Sequence, residues 1–412
     1  MQKIKLGDVL DVKRGASLSG DYYAEEGKYV RLTLGNFNYP GGGFKENTSK
    51  SDIYFVGPIK PEFILNEGDI ITPLTEQVSG LLGETATIPE GGKYIQSGDV
   101  GLVVPDETKL DKRFAYYLIA SPIVKKQLDA AAQQTKIRHT SPDAIKACEA
   151  WIPEDISVQA SIGLLLDSIN EKIANNNAIC SNLEGMAKLL YDYWLVQFDF
   201  PDENGNPYKS SGGKMVWNDE LKREIPAGWE VKILPNVCDL QYGFPLSTAL
   251  FGAEGAGVIR IRDIADNTVS AKTTEVVGKE YLTRAGDLLV GMDGNFQMNY
   301  WTRDNEIVNQ RITRIRQTDM PLMVIKLQIE PYITAKVSSV ARSTVGHLGD
   351  ADFKKQSILY PDKMNYSFFE KALDTIVELR NENQQLASLR DFLLPMLMNG
   401  QVKVGEFGNN EG

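Results

Sequence analysis

Two long stretches of the chain place mainly apolar residues at alternating steps of four and three positions. The first stretch has ten such positions between Ile162 and Trp194, and a shift of 203 residues gives ten more between Asn365 and Leu397. Steps of four and three put side chains on one face of a helix, as in a coiled-coil seam. We therefore predict two long helices. The seam positions are Ile162, Leu166, Ile169, Ile173, Asn176, Cys180, Leu183, Ala187, Leu190 and Trp194, then Asn365, Phe369, Ala372, Ile376, Leu379, Asn383, Leu386, Arg390, Leu393 and Leu397.

Proline and glycine limit both predicted helices. The first can begin after Pro153 and must stop before Pro201, and the second runs from near Ser367 to Asn399-Gly400, a helix-ending signal. Asn176 and Asn383 are polar seam positions, which can set the register of paired helices at some cost in stability.

The segments that precede the two helices also repeat. Both histidines of the chain, His139 and His347, fall at one repeat position, 208 residues apart. Such ordered agreement predicts two copies of one unit. The matching pairs are 6–15 with 234–243, 29–32 with 257–262, 66–71 with 284–289, 136–139 with 344–347, and 151–153 with 359–361.

Within each predicted unit the pattern is typical of short strands with a few short helices. Ile70-Ile71 and Leu288-Leu289-Val290 are short apolar runs bounded by turn residues. Short helices are expected at 114–121, 121–132 and 322–340. Turn residues crowd 201–228, which favours either a hairpin or a linker. Each unit is therefore predicted to be a mixed α/β domain followed by a long helix.

Composition limits the class of protein. With 42% hydrophobic and 24% charged residues in 412 positions, the chain is typical of a globular protein with more than one core. The net charge of −11 argues against a nucleic-acid partner. However, the nine acidic and two basic residues between Glu154 and Glu203 carry −7 of this charge. A locally basic surface elsewhere is therefore possible.

The number of cysteines and the hydropathy of the chain predict its cellular compartment. No apolar run is long enough for a membrane span, and residues 1–5 lack the apolar core of a signal peptide. Cys148, Cys180 and Cys238 are odd in number and widely spaced, so a disulfide framework or a zinc cluster is not expected. We predict a cytoplasmic protein with no membrane partner and no metal site.

Several stretches resemble the specificity (S) subunit of type I restriction-modification systems. Residues 183–194, 198–201, 210–217 and 225–229 are similar to the central conserved region of that family, and 389–400 is similar to its C-terminal region. The resemblance covers nearly the whole chain. It implies an α+β fold with two target-recognition domains and two long antiparallel helices that form a coiled-coil spacer, in a pseudo-twofold internal repeat.

With that resemblance, the chain divides into six segments. They are target-recognition domain 1 (1–152), a central conserved helix (153–200), a linker or hairpin (201–228), target-recognition domain 2 (229–362), a C-terminal conserved helix (363–404) and a flexible tail (405–412).

The resemblance also implies a role and partners. The subunit would contact a two-part, asymmetric DNA sequence, one half per domain, and would dock two methyltransferase subunits and the restriction-translocase subunits. It would hold no cofactor itself, since S-adenosylmethionine, ATP and Mg²⁺ are expected on the partner subunits.

Loops of both predicted domains carry side chains suited to DNA phosphates and base edges. For each of these residues a structural or solvated role is the alternative, and the histidines could instead organise turns. The candidates in the first domain are Lys13, Arg14, Arg31, Gln134, Lys136, Arg138 and His139, and in the second domain Gln241, Tyr242, Arg260, Arg262, Gln310, Arg311, Arg314, Thr344 and His347.

The long helices supply a second set of candidates, for the spacer and for partner docking. Off the seam, Tyr191, Tyr193, Leu195 and Phe198 are more apolar than one partner helix explains. They could pack on the adjacent domain or on methyltransferase subunits. The helix candidates are Ile173, Leu183, Leu190, Tyr191, Trp194, Ile376, Leu386 and Leu393.

Catalytic motifs are scarce. There is no P-loop and no amino-methyltransferase motif, and Gly252–Gly257 departs from the dinucleotide fingerprint. Glu107-Thr108-Lys109 with Asp99 upstream has the E-x-K spacing of metal-dependent nucleases, a common pattern in a charged chain. We expect no enzyme activity from the chain alone. A metal-dependent nuclease and a degenerate protein-interaction scaffold remain the alternatives.

Overall fold

Residues 1–39, 41–49, 51–76, 80–131, 138–294, 296–339, 346–361 and 364–402 are described by the computed structural model. The chain divides into two units. Unit 1 contains Met1–Ile173 and Gln385–Gly412, and unit 2 contains Ala174–Gln384. The division runs through both long helices, whereas the sequence-based segments placed its limits before the helices.

The helices follow the predicted periodicity. The first long helix extends beyond its α-helical part by a π-helical turn at Asp192–Val196, before the chain reaches Pro201. Both long helices and the three expected short helices therefore agree with the pattern. The helices are α1 (Lys112–Ala120), α2 (Pro122–Ala131), α3 (Pro142–Ala147), α4 (Ile156–Tyr191), α5 (Leu322–Ser339), α6 (Asp350–Lys354) and α7 (Ser367–Met398).

The strands are short, as the brief apolar runs indicate. In unit 1 they are β1 (Gln2–Lys5), β2 (Leu10–Arg14), β3 (Tyr23–Ala24), β4 (Tyr29–Arg31), β5 (Tyr54–Phe55), β6 (Ile70–Pro73), β7 (Thr75–Glu76), β8 (Ala86–Thr87), β9 (Tyr94–Ile95), β10 (Val100–Pro105), β11 (Arg138–His139) and β12 (Glu149–Ile152). In unit 2 they are β13 (Met215–Asn218), β14 (Arg223–Pro226), β15 (Glu230–Ile233), β16 (Cys238–Tyr242), β17 (Phe251–Gly252), β18 (Ala256–Ile259), β19 (Ala271–Thr273), β20 (Leu288–Gly291), β21 (Met298–Tyr300), β22 (Ile307–Val308), β23 (Ile312–Gln317) and β24 (Ser357–Tyr360).

The sheets of the two units have the same strand order. The order β2-β10-β6-β8 in unit 1 is matched by β16-β23-β20-β21 in unit 2, and β3-β5-β4-β9 is matched by β17-β19-β18-β22. The pair β1-β12 likewise corresponds to β15-β24. In both second sheets the last pair is parallel, β4 with β9 and β18 with β22. The two units are thus copies of one topology.

Each unit buries its own apolar core. In unit 1, Phe114, Leu118 and Ile119 of α1 pack with Ile162 and Leu166 of α4. Asp111 caps α1, because its Oδ1 accepts a hydrogen bond from the Phe114 amide at 2.9 Å, which satisfies one of the free donors at the helix start. The aliphatic residues of α1 are therefore held against the long helix.

The core of unit 2 is built from α5, α7 and the C-terminal half of α4. Val324 and Ile325 of α5 lie in one cluster with Phe369 and Ile376 of α7. Trp194 packs edge-to-face on Phe369, with ring centroids 6.2 Å apart. Burial of this cluster drives the folding of unit 2.

Helix contacts within unit 2 fix the direction of the helix pair. The amide of Asn176 donates to Asn383 Oδ1 at 2.9 Å, and Arg380 donates to Glu184 Oε1 at 2.9 Å. Residue numbers rise on α4 as they fall on α7, so these two segments run antiparallel. The two polar seam positions, Asn176 and Asn383, therefore contact each other.

The segment 201–228 is a hairpin rather than an extended linker. Its strands β13 and β14 pair antiparallel, with Met215 opposite Pro226 and Asn218 opposite Arg223.

Among the described helices none is both long and apolar enough to cross a membrane.

Candidate nucleic-acid interface

Each unit contains the same close approach of two backbone segments, and candidate DNA contacts lie near it. We call this place the junction: it is formed by Gly15 with residues 97–100 in unit 1 and by Gly243 with residues 309–312 in unit 2. The Gly15 amide donates to the Val100 carbonyl at 3.3 Å, and the Gly243 amide donates to the Ile312 carbonyl at 2.9 Å. A Cβ atom at Gly15 would lie 2.3 Å from the Ser97 carbonyl oxygen. A Cβ atom at Gly243 would lie 2.0 Å from the Asn309 carbonyl oxygen. Only glycine lets the chains approach this closely.

The two histidines occupy the same place at this junction. His139 pairs with Thr75 between β11 and β7, and His347 forms an isolated antiparallel bridge with Asp293. The next residue bonds back to the neighbouring strand in both units, from Thr140 to Leu74 and from Leu348 to Met292. The predicted equivalence of the histidines is confirmed, and both side chains are exposed.

In unit 2 three of the predicted arginines come together. Arg260, Arg262 and Arg311 line one open depression of about 300 Å³, together with Asn309. These residues lie up to 51 positions apart in the sequence, so the tertiary fold assembles the cluster. We call these three residues the arginine cluster. Its concentrated positive charge is suited to phosphate oxygens and guanine edges.

Neighbouring residues of unit 2 position two side chains of the arginine cluster. The Arg260 amide donates to Asp263 Oδ2 at 2.8 Å, and the Arg260 guanidinium lies 5.2 Å from the Phe251 ring centroid. Arg262 donates to Ser270 Oγ at 3.2 Å while its side chain stays 66% exposed. The guanidinium groups are therefore positioned yet open to a ligand.

An exposed network connects Arg311 to the histidine of unit 2. His347 Nδ1 lies 2.7 Å from Asp293 Oδ1, and Arg311 Nε lies 3.6 Å from Asp293 Oδ2. Asp293 thereby orients both side chains. Its carboxylate also limits the local positive charge.

Unit 1 has different side chains at the positions of the arginine cluster. The Thr33 amide bonds to Asn36 Oδ1 at 2.9 Å, as the Arg260 amide bonds to Asp263. Counting from these matched helix starts, Thr33 replaces Arg260 and Gly35 replaces Arg262. Unit 1 therefore has no arginine at the positions of Arg260 and Arg262.

The basic residues of unit 1 lie on β2 instead. Lys13 and Arg14 are exposed, and Arg14 donates to the Thr140 carbonyl at 3.4 Å, beside His139. Strand register makes Gln241 and Tyr242 their counterparts in unit 2, since Lys13 faces Leu102 and Gln241 faces Arg314.

Gln241 and Tyr242 are partly held by their own unit. Gln241 donates to the Tyr242 carbonyl at 2.9 Å, and the Tyr242 ring packs edge-to-face on Phe353. Burial raises the pKa of the Tyr242 phenol above its ordinary value, and the hydrogen bond to Asp350 acts in the same direction. The phenol is therefore a neutral donor at physiological pH. Gln310 is exposed next to the arginine cluster.

Two predicted contacts are buried, and the geometry does not support them as DNA contacts. The Arg31 side chain is 7% exposed, stacks at 3.8 Å on the Tyr23 ring and donates to the Asp52 carbonyl. The Arg314 side chain is 1% exposed and pairs with Asp239 at 2.9 Å. Both guanidinium groups bind partners within their own unit, because a buried charge requires fixed partners.

Arg138 is also held by acids of its own unit. Its Nη1 lies 2.8 Å from Glu76 Oε1 and 2.6 Å from Asp129 Oδ1. Three further predicted contacts, Gln134, Lys136 and Thr344, lie outside the described residues, so their prediction stands without a structural position.

The predicted helix residues mostly face inward. Leu183, Leu190, Tyr191 and Trp194 all pack on the core of unit 2, so their role is internal first. Ile376 is fully buried there, and Leu393 packs on the core of unit 1. Ile173 and Leu386 are half-buried. Leu195 and Phe198 are buried within unit 2 as well.

Sequence reasoning missed the apolar residues that face outward. Met186 and Leu189 on α4 are exposed, Leu189 by 71%. Leu389 and Phe392 on α7 are exposed, Phe392 by 63%. Each pair is the other shifted by 203 residues. We call them the outer apolar pairs. Their off-seam position within the repeat was the signal that could have revealed them.

A metal site does not appear in the described part of the chain. No group of three His, Cys, Asp or Glu side chains there could hold a metal ion. The Glu107–Lys109 triplet lies in a turn, where Lys109 pairs with Asp106 at 3.1 Å. The triplet therefore has a local structural explanation.

A sequence-family comparison identifies part of the chain directly. Residues 1–185 match the family described as type I restriction modification DNA specificity domain. Residues 1–185 are therefore similar to the DNA specificity domain of type I restriction-modification systems. The match agrees with the family resemblance that the sequence indicates, and it ends at residue 185, within the first of the conserved stretches.

Two curated relatives agree with this family. The chain is 22% identical over 313 residues to the type I restriction enzyme MjaIX specificity subunit of Methanocaldococcus jannaschii, covering 71% of the chain and 69% of the relative. It is 23% identical over 375 residues to the type I restriction enzyme HindI specificity subunit of Haemophilus influenzae, covering 75% and 81%.

The fold is shared over nearly the whole length of a solved structure. That structure is the type I restriction-modification system S subunit from M. genitalium, with a TM-score of 0.55, 16% sequence identity and 96% of each chain covered. This likeness extends through unit 2, of which the family match covers only residues 174–185. The shared fold therefore includes both units.

Proposed function

We propose that this chain is the non-catalytic DNA sequence-specificity subunit of a type I restriction-modification complex. The observation that carries the proposal is one scaffold present twice with different exposed side chains at its junction. The match of residues 1–185 to the DNA specificity domain of type I restriction-modification systems supports this role for the scaffold. A target with two unlike half-sites follows, because each unit offers its own donors and acceptors to the base edges.

Unit 2 would hold its half-site through the arginine cluster. Guanidinium groups make paired hydrogen bonds to guanine O6 and N7 and charge-assisted bonds to phosphates. Unit 1 would use Lys13, Arg14 and His139, which are exposed on its junction. The chain is acidic overall, with a net charge of −11. Binding therefore depends on these local basic positions and on phosphate contacts from partner subunits.

The long helices would act as the spacer between half-sites. The 36 residues of α4 correspond to ~54 Å of helix at ~1.5 Å per residue. A buried seam and the Asn176–Asn383 hydrogen bond would fix the register. The spacing of the DNA half-sites would then follow from helix length.

A paired insertion tests the spacer. Arg390 donates to Asn170 Oδ1 at 3.0 Å, so a heptad after Ile173 must be matched by one after Leu386, its facing position. The insertions add ~10 Å, or about three base pairs at ~3.4 Å per step. We expect a longer spacer in the methylated motif, or loss of methylation where groove phase fails. An unchanged spacer would contradict this role.

The outer apolar pairs would dock two methyltransferase subunits. Exposed apolar clusters that recur at equivalent positions favour two copies of one partner. Met186 and Leu189 stand one helical turn apart, as do Leu389 and Phe392. A partner helix could therefore seat on each pair. Restriction-translocase subunits would complete the complex, with S-adenosylmethionine, ATP and Mg²⁺ bound by the partners.

The deciding experiment is methylation mapping. The chain is expressed with its methyltransferase subunits in a host that lacks its own DNA methylation, and modified bases are located by sequencing. We expect one bipartite motif with unlike halves. A methyltransferase-only culture is the control. Absence of any motif, despite an assembled complex, would contradict the function.

A second experiment tests docking. Met186→Glu with Leu189→Glu, and separately Leu389→Glu with Phe392→Glu, should each reduce the methyltransferase recovered on co-purification. The matched control is Val276→Glu, because Val276 is 93% exposed and lies outside both pairs. Equal recovery from all three variants would rule out docking through these pairs.

A further inference from the structure

Position 99 of unit 1 and position 311 of unit 2 are the same place in the scaffold. The Leu74 amide donates to the Asp99 carbonyl at 2.8 Å, and the Met292 amide donates to the Arg311 carbonyl at 2.9 Å. The following residues, Val100 and Ile312, accept from the junction glycines in both units. Parallel bridges at Ser97 and Asn309 complete the match.

The side chains at this place carry opposite charges. Asp99 is exposed, and its carboxylate makes no hydrogen bond or ion pair within the described ranges. Arg311 is 55% exposed and belongs to the arginine cluster. In both units the histidine lies beside this place, since Thr75, next to Leu74, pairs with His139, and Asp293, next to Met292, pairs with His347.

We infer that Asp99 and Arg311 are equivalent specificity-determining residues that contact opposite kinds of base edge. The inference rests on the proposed function. A rigid backbone with a variable, exposed side chain is what two domains need to select different bases. Arginine matches the guanine acceptors O6 and N7, and a carboxylate accepts from the cytosine amine N4. Asp99 would therefore select cytosine in the half-site of unit 1, and Arg311 would select guanine in that of unit 2.

A purely structural role is less well supported for Asp99 than for Asp293 and Glu76, the other acidic residues near the junction. Asp293 orients His347 and Arg311, and Glu76 is buried against Arg138. Those carboxylates are used within their own unit. Asp99 is left exposed on a fixed backbone.

The test uses the full chain in complex with its methyltransferase subunits. Three variants are mapped by methylation sequencing and by competition binding on a library randomised in both half-sites. They are Asp99→Arg, Asp99→Asn and Arg311→Asp. The matched control is Glu107→Arg, the same charge change at an exposed residue beyond the other end of β10, ~20 Å along the strand.

We expect Asp99→Arg to change the preferred base at one position of one half-site, by ~10-fold to 100-fold in relative affinity. Arg311→Asp should change one position of the other half-site, and Glu107→Arg should change neither. Asp99→Asn keeps the side-chain shape and should relax the same position that Asp99→Arg changes. It carries the test if the arginine variant does not assemble.

Two results would overturn the inference, and each is distinct from failure of the proposed function. If both Asp99 variants methylate the wild-type motif with unchanged preferences, Asp99 does not select a base. If one variant alters both half-sites, the two positions are not independent. If the wild-type complex yields no motif, the proposed function fails and this inference fails with it.

Discussion

Units 1 and 2 have one topology but place their basic side chains differently. Unit 2 gathers Arg260, Arg262 and Arg311 around one depression, whereas unit 1 exposes Lys13 and Arg14 on β2. At each of these places the other unit is neutral or, at Asp99, acidic. The scaffold therefore sets where side chains stand, and the residue chosen at each place sets what the unit can contact.

What the units keep in common is backbone geometry. Gly15 and Gly243 allow the same close approach, and His139 and His347 hold the same bridge position. The exposed side chains around this junction differ between the units, as at Asp99 and Arg311. Two copies of one scaffold can therefore contact different ligands.

The largest expected effect comes from removing the basic groups of one unit. Replacing the three arginines of the cluster by Ala should weaken binding to the half-site of unit 2 by about 1–3 kcal/mol for each base that an arginine recognises. The slope of log affinity against log salt should also become shallower by about one for each arginine that neutralises a phosphate. The measurement is competition binding of the complex on DNA with one half-site scrambled at a time.

The comparison predicts the reverse for Lys13→Ala with Arg14→Ala, which should weaken only the half-site of unit 1. Lys371→Ala is the control, since Lys371 is exposed on α7, outside the strands and loops that carry these basic residues. An equal decrease in affinity at both half-sites from either variant would contradict separate contacts.

The fold was largely predictable because its signals are periodic. Ten seam positions at steps of four and three define α4, and the burial of Ile162, Leu166 and Asn176 agrees with them. The π-helical turn at Asp192–Val196 was not predictable, since no residue type specifies it. The split of both helices between units was missed for a similar reason, because packing partners decide it.

The site was less predictable because burial of charge depends on distant residues. Arg31 is fixed by Asp52, and Arg314 by Asp239 on the neighbouring strand. No local pattern separates these arginines from Arg262, which is exposed. Convergence of the arginine cluster likewise depends on strand register. Sequence supplied the residue types, and the fold selected among them.

The seam itself differs between the units, which gives a stability prediction. In unit 1 the seam positions of α4 are apolar, and Leu166 is fully buried. Leu166→Ala should destabilise unit 1 by about 2–5 kcal/mol through cavity formation. In unit 2 Asn176→Ala should cost about 1–3 kcal/mol, because Asn383 loses a buried donor. Amide hydrogen exchange, followed separately in unit 1 and unit 2, measures both changes in stability.

If each change raised exchange equally in both units, the two units would unfold together rather than separately. Asn175→Ala is the control for these variants, because Asn175 is exposed on α4.

The junction glycines provide a matched pair. Gly15→Ala and Gly243→Ala each place a methyl group against a carbonyl oxygen, so the backbone must shift at a cost of about 1–3 kcal/mol. Gly252→Ala should be nearly neutral, since no atom of the described residues lies within 4 Å of its Cβ position. Urea unfolding midpoints compare the three. Tolerance of alanine at only one junction would show that the two junctions are not alike.

The smallest expected effect concerns Gly185, near the C-terminal end of α4. Glycine inside a helix costs about 1 kcal/mol relative to alanine, and no atom of the described chain lies within 4 Å of its Cβ position. Gly185→Ala should therefore raise the free energy of unfolding by up to ~1 kcal/mol. Nothing in the fold of unit 2 accounts for a glycine here.

Docking gives a reason for it. Gly185 and Leu189 are four positions apart, so they share one helix face, and the missing side chain would let a partner helix approach closely. Gly185→Ala should then lower recovery of the methyltransferase subunit while it stabilises the free chain. Asn175→Ala raises helix propensity ten residues earlier and should leave recovery unchanged. Opposite signs for stability and docking would distinguish a partner contact from an ordinary surface position, and unchanged recovery with Gly185→Ala would remove the close approach from the proposal.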